Sequence, residues 1–295
     1  MVTSRSGVEV GEEVKKFFES SYVHQHGWGW AEFAGGGISS FRETKPAHES
    51  KYLRDMLAAP LVVRDAFFHV RYATVGAVEF LNTHPLFARD DSGRRWAIVH
   101  NGTIFNGDLT DRFFHEQDGD SDTERLLLYI VGLVNQAAAR AGAPLGSGER
   151  FRVVDGALRD VAKGNKLNVI ISDSEMFYVH GNSPHGAKLL GAYGADDYIY
   201  ELALGAGGQV LGSGAGSGGR ADSKGAGGGT AGSGEVATRI FSTVPLDGRA
   251  WRPIRMNTVF AYKGGRLMFQ GEPHGYGYVE SEDDMKRLYQ GFSGL

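Results

Sequence analysis

HVRYATVGAVEFLNTHPLFARDDSGRRWAIVHNGTIFN, residues 69–106, decides how the rest of this chain is read. It opens at the end of an apolar strand candidate, 66–72, which carries Arg71. It closes on two further strand candidates, 96–100 and 103–105, joined at Asn101-Gly102. Asn-Gly between two such runs is a strong hairpin signal, because a type I′ turn needs positive φ at both central residues. The stretch therefore predicts an arginine at one strand end and an Asn-Gly pair at a hairpin tip.

Working outward, the periodicity predicts a helix over 9–22, with Val14, Phe17, Phe18 and Tyr22 on one face. HGWGWAEF (26–33) and residues 38–45 alternate as a hairpin, and 48–59 looks helical. After the opening stretch, Ser121-Asp122-Thr123-Glu124 has the form of a capping box and starts a helix to about Arg140. That helix is apolar nearly all round, so deep burial is expected. A second helix at 149–163 precedes strands at 166–173 and 176–180. Further strands are expected near 186–192, 196–204, 236–244 and 255–269, with a final amphipathic helix over 281–292. Helices interleaved with two sets of antiparallel strands suggest two sheets packed face to face with helices outside them.

Between 205 and 234 the chain is almost entirely Gly, Ala and Ser. Such a tract cannot bury enough surface to offset its ordering entropy, so it reads as a disordered insertion between two strands. Its GxGxxG match at Gly214, Gly216 and Gly219 lacks the preceding strand and following helix that a dinucleotide site needs. The whole of 1–295 is expected to be one domain with this insertion.

Bulk composition narrows the function classes. The 295 residues are 41% hydrophobic and 22% charged, ordinary for a globular chain that buries a full core. Net charge is −4 with no basic stripe, which argues against a nucleic-acid partner. No apolar run approaches a bilayer span, and no signal peptide opens the chain, so no membrane role and a cytoplasmic location are expected. There is no cysteine, which excludes disulfides, thiolate metal sites and a cysteine nucleophile in the chain as written.

Three positions carry candidate chemistry. Arg71 is either a solvated strand-end arginine or a planar fork for a carboxylate. Thr74 and Gly76 follow it in a turn that lets a small ligand approach the backbone. Asn101-Gly102 is a simple turn, a glycosylation acceptor with Thr103, or a pair of oxyanion donors. The absence of an export signal counts against glycosylation. Asp122 is either an acidic residue favoured by the helix dipole or a partner for an ammonium group. Together, a cation, an anion and an oxyanion hole suit an amino acid with a reactive side-chain carbonyl, such as glutamine. His24 and His26 form an HxH pair without a third metal ligand nearby. His84 and His100 are expected in the pocket wall, and Trp28 and Trp30 in the core.

In combination these elements resemble the class II glutamine amidotransferases of the N-terminal-nucleophile (Ntn) hydrolase superfamily. HGWGWAEF, HVRYATVG, NTHPLF with WAIVHNGTIFN, and SDTE follow the order and spacing of that family's elements. LNVIISDSEMFYVHG (167–181) and RIFSTVPLDGRAW (239–251) resemble the later strands of its stand-alone bacterial members. The resemblance implies an α+β fold, a four-layer αββα sandwich of two antiparallel sheets, and no cofactor or metal. It implies that Arg71 binds the glutamine α-carboxylate and Asp122 the α-ammonium. Thr74 would join the substrate site, and Asn101 and Gly102 would hold the oxyanion. An N-terminal cysteine thiolate would attack the side-chain amide, with its own amine as base. Implied partners are glutamine or a γ-glutamyl compound, and a separate ammonia-acceptor synthetase chain.

The departure lies at the start. Family members begin Met-Cys followed by a short apolar strand, whereas Met1-Val2-Thr3-Ser4 looks like a start downstream of that cysteine, with the first strand largely missing. Val75 stands where many relatives carry histidine. Three explanations compete: a cysteine strand lost upstream, a non-catalytic amino-acid-binding or regulatory relative, or processing that exposes Thr3 or Ser4. The first is the expectation.

Overall fold

The computed structural model describes residues 1–183, 198–205, 209, 211, 235–278, 281, 283, 284 and 286. In chain order the elements are β1 (Val2–Glu9), α1 (Gly11–Phe18), β2 (Trp28–Ala34), β3 (Gly37–Glu43), α2 (Lys51–Met56), β4 (Val62–Val70), β5 (Leu86–Arg89) and β6 (Arg95–Thr103). Then come α3 (Asp122–Ala141), α4 (Ser147–Val161), β7 (Lys166–Ser172), β8 (Phe177–His180), β9 (Tyr200–Gly205) and β10 (Val236–Ser242). β11 (Arg252–Pro253), β12 (Phe260–Lys263) and β13 (Arg266–Gln270) complete them. The expected strand near 186–192, the GxGxxG glycines, nearly all of the 205–234 tract and most of the 281–292 helix lie outside the described residues.

The strands form two antiparallel sheets, ordered β11-β9-β10-β1-β4-β2-β3 and β13-β12-β8-β7-β6-β5. Alternation along the strands explains the layering. In β4, Phe67 turns towards the other sheet while Phe68 turns outward. In β6, Ala97 and Val99 turn inward while Trp96 and Ile98 turn outward. The inward residues, with Phe33, Phe177, Val179 and Phe241, make the core between the sheets. Trp96, Ile98, Leu167 and Ile171 pack instead on α3 and α4 through Leu126, Ile130, Val154 and Leu158. Val2, Val63, Phe68 and Ile240 pack on Val14 and Phe18 of α1. The expected αββα arrangement of layers is therefore present.

Three sequence expectations are corrected. The opening strand is not missing: β1 lies between β10 and β4, with Val2 opposite both Ile240 and Ala66. The pattern concealed it because two of its three buried positions, Thr3 and Ser4, are polar. Thr3 donates to Asp65 at 2.7 Å, and Ser4 bonds Ala237 O and the Thr238 hydroxyl. Both are fully buried, and these bonds satisfy them as β1's few apolar residues could not signal.

Asn101-Gly102 is not a hairpin tip either. β6 runs straight through both, pairing Asn101 with Asn168 and Gly102 with Leu167 of β7. Glycine is required at 102 by close approach, not by a turn. A Cβ there would lie 2.1 Å from Lys166 O and 2.4 Å from His100 Nε2. Paired positive φ is used instead by the hairpins β2–β3, at Gly35 and Gly36, and β12–β13, at Gly264 and Gly265.

Finally, the Ser121–Glu124 capping box does not form. Ser121 accepts from Thr123 N at 3.1 Å, but Glu124 takes the backbone N–H groups of Asp118 and Gly119 instead. Its carboxylate closes the preceding loop rather than reaching back to the cap.

Candidate active site

A cavity of about 440 Å³ opens where the two sheets part, and Arg71, Thr74, Asn101, Gly102 and Asp122 all line it. All five sequence-nominated residues are thus brought together, although they come from three separate segments. Met1, His69, His84, His100, Lys166 and Asn168 share the same wall.

Arg71 follows β4 directly and is only 4% exposed. One guanidinium nitrogen, Nη2, donates to Val75 O at 3.3 Å and Gly76 O at 3.2 Å. The other, Nη1, is buried with no hydrogen-bond partner among the described residues. Burial pulls this guanidinium below its usual value, while Asp120, Asp122 and Glu79 act in the opposite direction. An orphaned N–H of a buried cation is costly, and here it is free to donate to an acceptor in the cavity.

Asp122 heads α3 and is equally buried. Its Oδ2 accepts from Ile104 N at 2.8 Å and its Oδ1 from the Thr123 hydroxyl at 3.3 Å. Each oxygen keeps a further lone pair for a cationic donor. The Thr74 hydroxyl accepts from Thr103 Oγ1 at 3.0 Å, linking the loop after Arg71 to the end of β6.

Asn101 and Gly102 are mounted on β6, beyond the stretch that pairs with the edge strand β5. The partner of Gly102, Leu167, gives its N–H to Asn182 and its carbonyl to His180, both on the far side. Gly102 and Leu167 therefore form a non-exchanging pair, and the Gly102 N–H is directed away from β7. No described residue takes up the Asn101 side-chain amide.

The sequence placed His84 and His100 in the pocket wall, and the structure places them there. It adds His69, a residue that pattern alone did not single out. His69 Nε2 lies 3.3 Å from His100 O and 3.2 Å from His84 Nδ1. A carbonyl only accepts, so the proton sits on His69 Nε2, and its Nδ1 is buried without a partner. Burial pushes His69 down to about 3 and His84 well below its ordinary value. His100 is also lowered by burial, with Asp122 opposing. Burial therefore disfavours the charged form of all three rings. His26 meanwhile accepts from Ala73 N at 2.9 Å and stacks on Tyr72.

Met1 ends β1 inside the cavity. It exchanges two backbone hydrogen bonds of 2.8 Å with Phe241. Beyond it, among the described residues, no strand lies between residues 68–71, which follow one side, and 242–244, which follow the other. Both edges line the cavity.

The family described as class II glutamine amidotransferases matches residues 15–190, more than half of the chain, and the chain belongs to that family. A protein from Haemophilus influenzae, whose description as a glutamine amidotransferase is itself provisional, is 28% identical over 158 residues, covering 53% of this chain and 52% of the relative. One from Escherichia coli, with the same provisional description, is 25% identical over 150 residues, covering 51% and 58%. The chain spans about half the length of the curated relatives it matches.

Among solved structures, a predicted glutamine amidotransferase from Pseudomonas aeruginosa superposes with a TM-score of 0.55 at 22% identity, covering 82% of this chain and 87% of that one. The allosteric regulatory enzyme of purine biosynthesis superposes with a TM-score of 0.56 at 16% identity, covering 90% and 47%. At such identities the likeness shows the fold alone, that of Ntn-hydrolase-type amidotransferases. Among the described residues no helix is long and apolar enough to cross a membrane.

Proposed function

We propose that the cavity binds glutamine, or a γ-glutamyl compound, through Arg71 and Asp122. A thiolate from residues ahead of Met1 then attacks the side-chain amide. The observation that carries this is the buried, unpartnered Nη1 of Arg71 in the same cavity as Asp122, Asn101 and Gly102. Arg71 takes the α-carboxylate, Asp122 the α-ammonium, and Thr74 closes the substrate end. As sulfur adds to the amide carbon, the oxygen becomes an oxyanion held by the Asn101 side-chain N–H and the Gly102 N–H. Losing one such donor costs on the order of a hundredfold to a thousandfold in rate. Collapse of the intermediate breaks the C–N bond, and the leaving nitrogen departs as ammonia after taking a proton. Water then cleaves the thioester and yields glutamate.

The register of β1 supports that source of the thiolate. β1 is antiparallel to β4, with Val2 opposite Ala66 and Met1 next to Phe67. Continuing that register, four residues ahead of Met1 would lie against 68–71, the fourth opposite Arg71. A cysteine there reaches the carboxylate-binding arginine from the sheet itself. On this reading 1–295 is one amidotransferase type-2 domain, with 205–234 inserted between β9 and β10. The partner that this reading implies for ammonia transfer is a separate synthetase chain.

The test is the coding sequence just upstream of the Met1 codon, followed by assay of the extended protein. In-frame Met-Cys within a few codons, and ammonia release from glutamine by that protein, is the expected result. An in-frame stop codon, or an extended protein that binds glutamine and releases no ammonia, would overturn the catalytic reading. The second outcome would favour a non-catalytic amino-acid-binding or regulatory relative, a reading supported by the absence of cysteine in the 295 residues.

A further inference from the structure

Asn82 and Asp120 lie outside the nominated site, yet they bind two of its loops into one. Asn82 is fully buried. Its amide nitrogen donates to Ala77 O at 3.0 Å, to Glu79 Oε1 at 3.2 Å and to Asp120 Oδ1. Its oxygen accepts from Asp120 N at 3.0 Å. Asp120 in turn accepts from Ala77 N at 3.0 and 3.3 Å through its two oxygens. The packing leaves no slack. Gly76 has φ +83°, and a Cβ there would lie 2.7 Å from Asp120 Oδ1. A Cβ on Gly119 would lie 2.3 Å from Asn82 Oδ1.

What this clasp holds is chemically specific. The carbonyls of Val75 and Gly76 grip Nη2 of Arg71. Asp120 precedes Ser121, the N-cap of the helix that presents Asp122. One reciprocal Asn–Asp contact therefore ties the loop that aims Arg71 to the helix start that aims Asp122.

We infer that Asn82 and Asp120 are positioning residues that set the span between the cationic and anionic ends of an α-amino-acid site. The inference rests on the glutamine reading for its ligand, but the clasp itself can be examined without one. Positioning of this kind matters because a displacement of about 1 Å can cost about a hundredfold in a site of fixed geometry.

The experiment pairs hydrogen exchange with calorimetry on the 295-residue chain. In Asn82→Ala, amide exchange across 74–78 should quicken while exchange in β6 and β7 stays as in the parent. L-glutamine should bind about tenfold more weakly, as for loss of one charge-assisted hydrogen bond. In an Arg71→Lys background, which still binds, Asn82→Ala should cost less affinity than in the parent, because the two act through one contact. Asp120→Asn keeps the shape and both acceptor roles of Oδ1, so it should retain protection that Asp120→Ala loses.

Unchanged exchange across 74–78 in both alanine variants would overturn the clasp. So would a loss of affinity that is simply additive with Arg71→Lys. If Asn82→Ala fails to fold, the Asp120 pair decides the matter by the same readout. A parent chain that binds no glutamine, while exchange across 74–78 responds as expected, would sink the glutamine reading and leave the clasp supported.

Discussion

Replacing Gly102 by alanine puts a methyl carbon 2.1 Å from Lys166 O, 2.4 Å from His100 Nε2 and 2.9 Å from the Lys166 carbonyl carbon. Neither neighbour can swing aside. Lys166 belongs to β7 and is registered against Thr103. The His100 ring is held at both ends, by Thr123 Oγ1 and Lys166 O, each at 3.0 Å. Relief needs β6 and β7 to separate by more than about 1 Å, which places the cost near the upper end of overpacking, about 3 kcal/mol. Gly142 is the control. Its φ is +66° with nothing within 4 Å, so Gly142→Ala meets only left-handed backbone strain, about 1 kcal/mol. Urea unfolding of parent and both variants measures the difference, with the slope checked for constancy. A Gly102→Ala cost no larger than that of Gly142→Ala would refute the reasoning, because an ordinary turn glycine would behave that way.

Other perturbations separate the remaining claims. Arg71→Lys keeps the charge but loses the planar fork, so glutamine affinity should fall at least about tenfold by calorimetry. Arg150→Ala strips Asp173, fully buried, of a 2.6 Å ion pair and should destabilise by about 3 kcal/mol or more in urea. Stability should also fall on acidification. His69 and His180 are pushed down to about 3 by burial, so below the unfolded value of 6.5 the unfolded chain binds more protons. Their contribution is complete above that value and declines as pH falls towards 3, each by up to about 1.4 kcal/mol per pH unit. His69→Gln should flatten the dependence between pH 7 and 5, and an unchanged slope would remove His69 from the account.

Much of the fold was legible because its signals are local. β2–β3, β4, α3 and α4 announce themselves through alternation or helical spacing. β1 did not, since a central strand whose buried places are held by Thr3 and Ser4 shows no apolar alternation. Asn101-Gly102 misled for the opposite reason. Asn-Gly fits a type I′ turn in isolation, and only the β7 backbone beside Gly102 reveals why glycine is there. Arg71, Thr74 and Asp122 were nominated from motif order. His69 and the Asn82–Asp120 clasp could not be, because their meaning lies in contacts across tens of residues. Asn82 carried one signal, its place in the Asn-Thr-His-Pro run, which names no partner.

The central claim is that Arg71 and Asp122 grip an α-amino acid whose side-chain amide faces Asn101 and Gly102. Calorimetric titration of L-glutamine into the 295-residue chain, beside its Arg71→Ala variant, tests that claim most directly. The account predicts saturable one-to-one binding by the parent and none by the folded variant. Equal binding by both, or no binding by the parent, would contradict it.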